Sequence, residues 1–420
     1  MTLPPALIFP NNPASLAVVR ELGAAGVHSF VVDSAHSGPA SNSRFSTFVK
    51  SPDLYDDPGA WADFAATFAR EQPDSPVLFP TDDGALLVAE RYQRILADGF
   101  RFPYPAGRGV IDAVLDKSVL YRVAAEAGVD LPLWFVGETD ATERAAKRSR
   151  EAGRRVDWLT KPNCRYRLGT DGVRTFLARN GGKKALAGDL QRTVSRVRKA
   201  GFDALVQERI PGPLGELVSV GLCLSVRGGV VQSFTALKRY EYPSPFGDGV
   251  WMERVDDPGL VDVSARLLRS LGYWGICDLE FKRDPRDGRY RLLDANPRAW
   301  QWMGLGGISG CRLALAAYCV ALGDDLAAFR GRYGARSGTG DGRRRIWVSG
   351  RGAAGFLLKE YRPRTHGLAL PAKLFAGSLT TFVATLRSYR DPLCVRPSHW
   401  GGLARSLYSL RLRRTQEEDA

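Results

Sequence analysis

The sequence lacks any uncharged apolar run of roughly eighteen residues, so it contains no candidate membrane-spanning helix. It has only four histidines, and its six cysteines are scattered without a Cys-x-x-Cys pair. That scarcity argues against a histidine-rich metal site, a zinc ribbon and a disulfide scaffold. The N-terminus carries no basic segment ahead of an apolar one, which argues against a signal peptide. These absences together predict a cytoplasmic protein.

The chain also lacks the charge distribution expected of a nucleic-acid-binding protein, although its net charge is +14. Residues 330–420 contain 18 Lys and Arg against 6 Asp and Glu, whereas residues 1–329 contain 41 against 39. The basic charge therefore belongs to a C-terminal appendage. No nucleic-acid-binding motif accompanies it, which argues against a nucleic-acid partner.

The first hundred residues predict a small parallel sheet flanked by helices, because short apolar strands alternate with segments of helical spacing. The predicted elements are the strands Ala6–Phe9, Val27–Val32 and Val77–Phe79 and the helices Ala14–Leu22 and Ala85–Leu96. Ligands at such sheets bind beyond the carboxyl ends of the strands. The polar residues that follow the strands are therefore site candidates, or else turn formers and helix caps: Asn11, Asn12, Thr81 and Asp82.

Two strands joined by a Pro285 and Asp287-Gly288 turn carry the most informative group of polar residues. Alternation places Asp278 and Glu280 on one face of the first strand, and Asp294 and Asn296 on one face of the second. Apolar flanks predict a buried hairpin, in which clustered acids need a cation. Carboxylate and amide oxygens suit Mg²⁺, and Arg298 follows on the same face, where its guanidinium can contact phosphate or an anionic acyl group.

Further elements precede this hairpin. Asp116 opens a predicted helix that runs from Lys117 to about Ala127, and a strand over Trp158–Lys161 leads into a basic, glycine-bearing loop over residues 163–172. Three β-like segments follow, with Gly228-Gly229 as a hairpin turn: Ala204–Arg209, Glu216–Val226 and Val230–Leu237.

With these motifs in this order, residues 3–325 resemble the ATP-grasp superfamily, and within it the branch of D-aspartate ligase and the carbamoyl-phosphate synthase large chain. The pattern that carries the resemblance is Glu-Phe-Lys, a turn, an aliphatic pair and then Asp-x-Asn-Pro-Arg. The resemblance implies an α/β (α+β) chain of three parts. These are an N-terminal pre-ATP-grasp domain (1–112), an ATP-grasp domain of two lobes (113–329) and a basic C-terminal extension (330–420).

The resemblance also implies roles for individual residues. Lys117 and Lys161 would bind the phosphates of ATP, and Glu216 its ribose. The segment that begins Gln207-Glu208-Arg209-Ile210 would form the hinge that hydrogen-bonds adenine through backbone groups, with Gln207, Glu208 and Ile210 as the binding residues. Glu280, Asp294 and Asn296 would bind Mg²⁺, or Mn²⁺ as the alternative ion. Arg298 and Lys238 would act on the reacting groups, although Lys238 equally fits a plain surface pair with Arg239.

The activity implied is that of an ATP-dependent carboxylate–amine ligase, which activates a carboxylate as an acyl phosphate and joins it to an amine or a thiol. Its partners would be a small-molecule carboxylate and a small-molecule amine. Two other functions stay open: a phosphotransferase on the same fold, and a catalytically silent nucleotide-binding module recruited by its basic tail. Three features depart from the family pattern: Asp294 stands where glutamate is commoner, the loop carries Cys-Arg-Tyr-Arg, and Asp278 competes with Glu280 for the metal.

The C-terminal extension combines a glycine-rich linker over residues 331–342, a strand-like Ile346–Val348 and a helix with apolar spacing. The apolar positions of that helix, which predict one face, are 370, 374, 375, 379, 382, 383 and 386. An amphipathic helix beside many arginines is typical of a protein that lies on an anionic membrane surface. The alternative is a helix docked on the catalytic body with solvated arginines around it.

Overall fold

The computed structural model describes residues 3–169, 172–175, 185–186, 190–323, 327, 331, 345–366, 368–389 and 391. The N-terminal region contains a four-stranded parallel sheet in the order β3-β2-β1-β4. Its strands are β1 (Ala6–Phe9), β2 (Ser29–Asp33), β3 (Ser46–Lys50) and β4 (Val77–Pro80). Its helices are α1 (Pro13–Gly23), α2 (Pro58–Arg70), α3 (Asp83–Arg91) and α4 (Gln93–Leu96). The predicted parallel sheet is confirmed.

Strand β1 is buried along its whole length because the sheet is covered on both faces. Ala6 and Ile8 pack in one apolar cluster with α1, and Leu7 and Phe9 pack in another with α2. The single helix predicted over Ala85–Leu96 is wrong, because the backbone at Tyr92 leaves the helical region and separates α3 from α4.

The polar residues beyond the strands act mainly as caps. The Asn12 side chain accepts hydrogen bonds from the first turn of α1, and Asp82 accepts from Ala85 at the start of α3. Asn11 accepts backbone hydrogen bonds from residues 40 and 41. The contacts agree with the interpretation of Asn11, Asn12 and Asp82 as turn formers and helix caps, while the Thr81 hydroxyl donates to the Phe9 carbonyl at 3.0 Å.

The next lobe contains an antiparallel sheet in the order β5-β10-β6-β9. Its strands are β5 (Trp134–Gly137), β6 (Trp158–Pro162), β9 (Ala185–Leu186) and β10 (Ala204–Glu208). Helices in and before this lobe are α5 (Val110–Leu115), α6 (Lys117–Glu126), α7 (Ala141–Glu151) and α8 (Leu190–Lys199). The loop predicted over 163–172 contains one arm of a hairpin, formed by β7 (Tyr166–Gly169) and β8 (Gly172–Thr175).

The largest sheet has the order β15-β14-β11-β12-β13-β16, and all its neighbouring strands are antiparallel. Its strands are β11 (Leu217–Leu224), β12 (Val230–Tyr242), β13 (Asp248–Val255), β14 (Gly275–Arg283), β15 (Tyr290–Asn296) and β16 (Ile346–Val348). Its helices are α9 (Pro258–Ser270), α10 (Gly304–Ile308) and α11 (Leu313–Ala321). Helix α9 packs on one face and α11 on the other, so β11 is buried throughout.

The C-terminal segment is part of the folded body, which differs from the appendage predicted from charge. Strand β16 pairs with β13, and α12 (Gly350–Lys359), α13 (Pro363–His366) and α14 (Leu370–Tyr389) follow it. Beyond α14, the buried Asp391 carboxylate lies 3.0 Å from Arg20 Nε of α1. Of the predicted glycine-rich linker, residues 332–342 lie outside the described residues.

Helix α14 packs on β16 and α12, which agrees with the docked-helix alternative. The residues of α14 that are buried are Leu370, Leu374, Gly377, Thr381 and Tyr389. Only two of the seven apolar positions predicted as one face belong to this docked face. Among the described residues no single helix is long and apolar enough to cross a membrane, although α10 with its preceding turn and α11 pass that test as a pair bent by 95°.

Candidate active site

The hairpin of β14 and β15 brings the four predicted polar residues together. Asp278 pairs with Asn296 and Glu280 pairs with Asp294, so the two polar faces coincide as the alternation predicts. The register shifts directly after Glu280, and this bulge takes Leu293 out of the ladder. The freed Leu293 carbonyl accepts hydrogen bonds from Lys161 Nζ at 2.8 Å and from the Tyr121 hydroxyl at 2.9 Å.

Both predicted phosphate-binding lysines converge on β15 from different elements. Lys117 is the first residue of α6, after the Asp116 cap, and its Nζ lies 3.0 Å from Asp294 Oδ1. Lys161 comes from β6 and is only 4 % exposed. Burial alone would lower the pKa of Lys117, but the charge and hydrogen bond of Asp294, together with the Asp83 charge, raise it. The Lys117 ammonium group therefore stays cationic beside β15.

Lys238 lies on the acidic side of this cluster. Its Nζ is 3.9 Å from Glu280 Oε1 and donates to the Gly247 carbonyl at 3.4 Å. Burial would lower its pKa, but Glu280, followed by Glu241 and Asp248, raises it. The residue is 6 % exposed, so the interpretation as a plain surface cation does not hold.

Arg298 connects the hairpin to helix α3 of the N-terminal region. Its Nε donates to Asp83 Oδ1 at 2.8 Å, and its Nη2 donates to Asn296 Oδ1 at 3.2 Å. Burial would lower the pKa of Arg298, but Asp83 raises it. The sequence analysis missed Asp83 and named its neighbour Asp82, whose carboxylate instead caps α3 and accepts from the Tyr55 hydroxyl.

The donor set fits a hard cation such as Mg²⁺. Glu280 and Asp294 offer partly exposed carboxylates on paired residues, with side chains 24 % and 23 % exposed. Asp278 is deeper, and within the described chain its Oδ1 has no hydrogen-bond partner, while its Oδ2 accepts from Asn296 Nδ2 at 3.3 Å. Burial, then Glu280, raises the pKa of Asp278 well above its ordinary value. Geometry thus favours Glu280 over Asp278 as the ligand.

No group of three or more His, Cys, Asp or Glu residues stands ready to hold a metal ion in the part of the chain that the structure describes. The predicted set of Glu280, Asp294 and Asn296 contains only two residues of these four types, because its third member is an amide. The assignment of these three residues as metal ligands therefore stays a prediction. Arg298 already holds the Asn296 amide oxygen.

The predicted hinge residues are buried at the end of β10. Gln207 accepts from the Tyr121 hydroxyl at 2.9 Å, and Ile210 is 3 % exposed. The Glu208 carboxylate lies 2.7 Å from a guanidinium nitrogen of both Arg154 and Arg286. This side chain is therefore committed to ion pairs, and a nucleotide contact by Glu208 would have to use its backbone.

Glu216 is separate from these hinge residues. It ends a short 3₁₀ helix, Leu214–Glu216, and its Oε2 lies 3.9 Å from Arg283 Nη1. Its side chain is 34 % exposed, so it is open to a ligand. The nucleotide-binding assignments of Gln207, Glu208, Ile210 and Glu216 all stay predictions.

A cavity of about 440 Å³ opens beside the cluster. Lys117, Asp294 and Arg298 line it from the body, and Arg165 and Tyr166 line it from the β7 segment. Tyr166 lies close to α3, because a Cβ on Gly84 would be only 3.0 Å from its ring. The Cys-Arg-Tyr-Arg loop, in which the sequence departs from the family pattern, therefore forms one wall of the cavity through Arg165 and Tyr166.

Trp300 and Trp302 follow Arg298 but do not face this cavity. Trp300 stacks on Phe234 and Trp302 meets Phe234 edge-on, in the core next to α10 and α11. Core packing is therefore their role, as is usual for tryptophan.

No protein-family model matches this sequence, and no curated protein matches it. Solved structures do resemble it. The L-amino acid ligase from Bacillus licheniformis shares 16 % identity over 79 % of this chain and 78 % of its own, with a TM-score of 0.56. The ADP complex of N5-carboxyaminoimidazole synthetase from Staphylococcus aureus shares 12 % identity over 87 % of both chains, with a TM-score of 0.60.

The biotin carboxylase domain of 2-oxoglutarate carboxylase from Hydrogenobacter thermophilus, in complex with MgADP, ADP and bicarbonate, is a third similar structure. It shares 16 % identity over 77 % of this chain and 70 % of its own, with a TM-score of 0.56. These proteins are ATP-grasp ligases. The chain therefore has the ATP-grasp fold, as its motifs predict.

Proposed function

We propose that the protein is an ATP-dependent ligase that joins a small-molecule carboxylate to an amine. The observation that carries this proposal is the convergence of Lys117 and Lys161 on β15, beside the paired carboxylates of Glu280 and Asp294. Cations that hold phosphate oxygens, next to acids that hold Mg²⁺, are what phosphoryl transfer requires. Nothing in this arrangement calls for a covalent nucleophile on the protein.

The resemblance to solved ligases supports this chemistry. One similar structure is an amino acid ligase, and two others contain ADP or MgADP. In the proposed reaction the γ-phosphoryl group of ATP passes to a carboxylate oxygen of the substrate, and ADP leaves. The amine then attacks the acyl carbon, the C–N bond forms, phosphate leaves and the amine loses a proton.

Mg²⁺, when bound, would neutralise the charge on the transferring phosphoryl group. Glu280, Asp294 and Asn296 are its proposed ligands. Lys117 and Lys161 would hold phosphate oxygens, and the position of both Nζ atoms at the strand that carries these acids supports this role. We assign ATP, through its adenine and ribose, to Gln207, Glu208, Ile210 and Glu216.

Arg298 and Lys238 are the groups proposed to act on the reacting atoms. The Arg298 guanidinium, fixed by Asp83, presents a rigid set of donors to an anionic acyl group. Lys238 approaches the same acids from β12, where a cation opposes the charge that develops on phosphate.

The test is ATP turnover by the full chain with Mg²⁺ and pooled amino acids and small carboxylates, with phosphate and new product masses measured together. The Asp294→Asn variant runs beside the wild type. Asp287→Asn is the matched control, because Asp287 lies in the turn of the same hairpin, away from the cavity, with its side chain 39 % exposed.

A ligase gives amine-dependent phosphate release and a condensation product, both lost in Asp294→Asn and kept in Asp287→Asn. ADP with a stable phosphorylated product would replace the proposal by a phosphotransferase. Tight, Mg²⁺-dependent ATP binding without turnover on any acid and amine pair would replace it by a silent nucleotide-binding module.

A further inference from the structure

Helix α14 has a second apolar face, which points away from the body. Phe375 and Leu379 lie four residues apart and are 74 % and 53 % exposed, while Leu374, the residue before Phe375, is fully buried on the opposite face. Leu368, just before the helix, is 83 % exposed. The side chains of these three residues form what we call the outer apolar face. Five of the seven positions predicted as one stripe, from 375 to 386, are exposed or only partly buried.

Exposed apolar side chains are concentrated in this region. Six large apolar residues are exposed in the described part of the chain, and four of them lie between residues 358 and 379. Besides the three residues of the outer apolar face, this group includes Leu358 of α12, a helix that packs against α14. Single exposed apolar residues are ordinary, but a group on adjoining helices marks a surface that meets something other than water.

The charge around this face has one sign. Residues 345–391 contain eight Lys and Arg but only two acids. Both acids are occupied elsewhere: Glu360 accepts from the Ser244 backbone, and Asp391 is buried with Arg20. Exposed cations on α12, α14 and the segment between them include Lys359, Arg362, Lys373 and Arg387.

We propose that the outer apolar face binds the surface of an anionic lipid bilayer. Apolar side chains on a helix that lies parallel to a membrane enter the boundary between headgroups and acyl chains, and flanking Lys and Arg bind anionic headgroups. The residues beyond 391 add five more Lys and Arg before the acidic end at 417–419. The docked face of the same helix fixes it to the enzyme, so the catalytic body would be held at the membrane.

The absence of outward acids on the described segment 345–391 favours a lipid surface over a second copy of the chain. Two copies meeting through this face would bring like charges together around a small apolar contact. A fluid bilayer accepts isolated Phe and Leu side chains without a matching shape, and its anionic headgroups complement the cations.

The experiment is flotation of the full-length protein with vesicles of phosphatidylcholine and phosphatidylglycerol, and with vesicles of phosphatidylcholine alone. We expect binding to the anionic vesicles, and release as NaCl rises from roughly 0.1 M to roughly 0.5 M. The double variant Phe375→Ser, Leu379→Ser should lower the partition coefficient at least about tenfold, because two large apolar side chains are lost from the interface.

Val226→Ser is the matched control, since Val226 is 63 % exposed in the β11–β12 turn, and it should bind as the wild type does. Thermal unfolding of the double variant at the wild-type temperature shows that the fold is intact. The proposal is overturned by equal binding to both kinds of vesicle, or by wild-type binding of the double variant. A dimer that forms in solution and is lost in the double variant would assign the face to a second copy instead.

Discussion

The two ends of the β14–β15 hairpin hold their charges in opposite ways. At the turn end, Arg286 donates to Asp284 and to Glu208, and the Arg286 side chain holds the pKa of Asp284 below its usual range. At the other end, burial, then Glu280, raises the pKa of Asp278. The turn end is a closed ion-pair network, while the site end keeps clustered acids with incomplete compensation.

This contrast between the two ends of the hairpin indicates how charged residues that stabilise the fold differ from charged residues that bind a ligand. A buried carboxylate that is paired and hydrogen-bonded stays ionised and fixes the local structure. Carboxylates that face each other beside a cavity repel one another, and this repulsion raises their pKa values. An added cation would relieve the repulsion, so such a group has an affinity for one. Substitutions at the two ends should therefore separate activity from stability.

The largest effect is expected from Glu280→Gln at the site end. Loss of one proposed Mg²⁺ ligand should lower ATP turnover at least about a hundredfold, as removal of groups that stabilise transition-state charge does. The free energy of unfolding should change little, because loss of the 3.9 Å pair between Glu280 and Lys238 opposes the relief of repulsion between Glu280 and Asp278. Steady-state kinetics with urea denaturation checks both values. Retained turnover with lower stability would place Glu280 among structural residues.

Arg286→Gln should have the opposite effect at the turn end. It leaves the buried carboxylates of Glu208 and Asp284 short of a cation, with Arg154 as the remaining 2.7 Å partner of Glu208. We expect a loss of about 2 kcal/mol in the free energy of unfolding, in the range for broken charged hydrogen bonds. Turnover at saturating ATP should stay near the wild-type value. A variant that unfolds normally but turns over slowly would contradict the comparison.

A smaller effect is expected from Asp83→Asn, which tests whether the start of helix α3 positions Arg298. The neutral amide keeps an acceptor for Arg298 Nε but loses the ion pair of 2.8 Å. We expect kcat to fall about tenfold, with KM for ATP unchanged and partial rescue in Asp83→Glu. Asp98→Asn, on the surface of the same domain, is the control. An equal loss in Asp83→Glu and Asp83→Asn with lowered stability would indicate a structural role only.

Sequence reasoning succeeded where a residue's environment follows from its immediate neighbours. Strand β1 is apolar at every position, which indicates burial on both faces, and the alternation of Asp278 and Glu280 fixes their common face. The turn at Pro285 to Gly288 ties the two strands together. Fold and central hairpin could therefore be predicted.

It failed where the outcome depends on contacts between distant segments. Asp82 and Asp83 are adjacent acids, and only the packed structure shows that Asp82 caps α3 while Asp83 meets Arg298, 215 residues away. The bulge that frees the Leu293 carbonyl for Lys161 leaves no local signal. Apolar periodicity in α14 could not show which face docks, because the helix has two.

The smallest effect on turnover, and the sharpest limit on the comparison, is expected at Glu21 of α1. Like Asp278 it is fully buried and has one oxygen, Oε1, without a hydrogen-bond partner among the described residues. Its Oε2 accepts from the Ala314 backbone at 2.7 Å at the start of α11. Burial raises the pKa of Glu21 from 4.5 to about 8.

An acid with a higher pKa in the folded state is still protonated there when it has already ionised in the unfolded chain. Stability contributed by Glu21 is therefore present below pH 4.5 and is lost as the pH rises through about 8. Urea denaturation between these values should show this decline in the wild type and a flatter profile in Glu21→Gln. Equal slopes would show that Glu21 is ionised in the fold. Unchanged ATP turnover in the variant would show that a raised pKa alone does not mark the active site; facing cations and an adjoining cavity do.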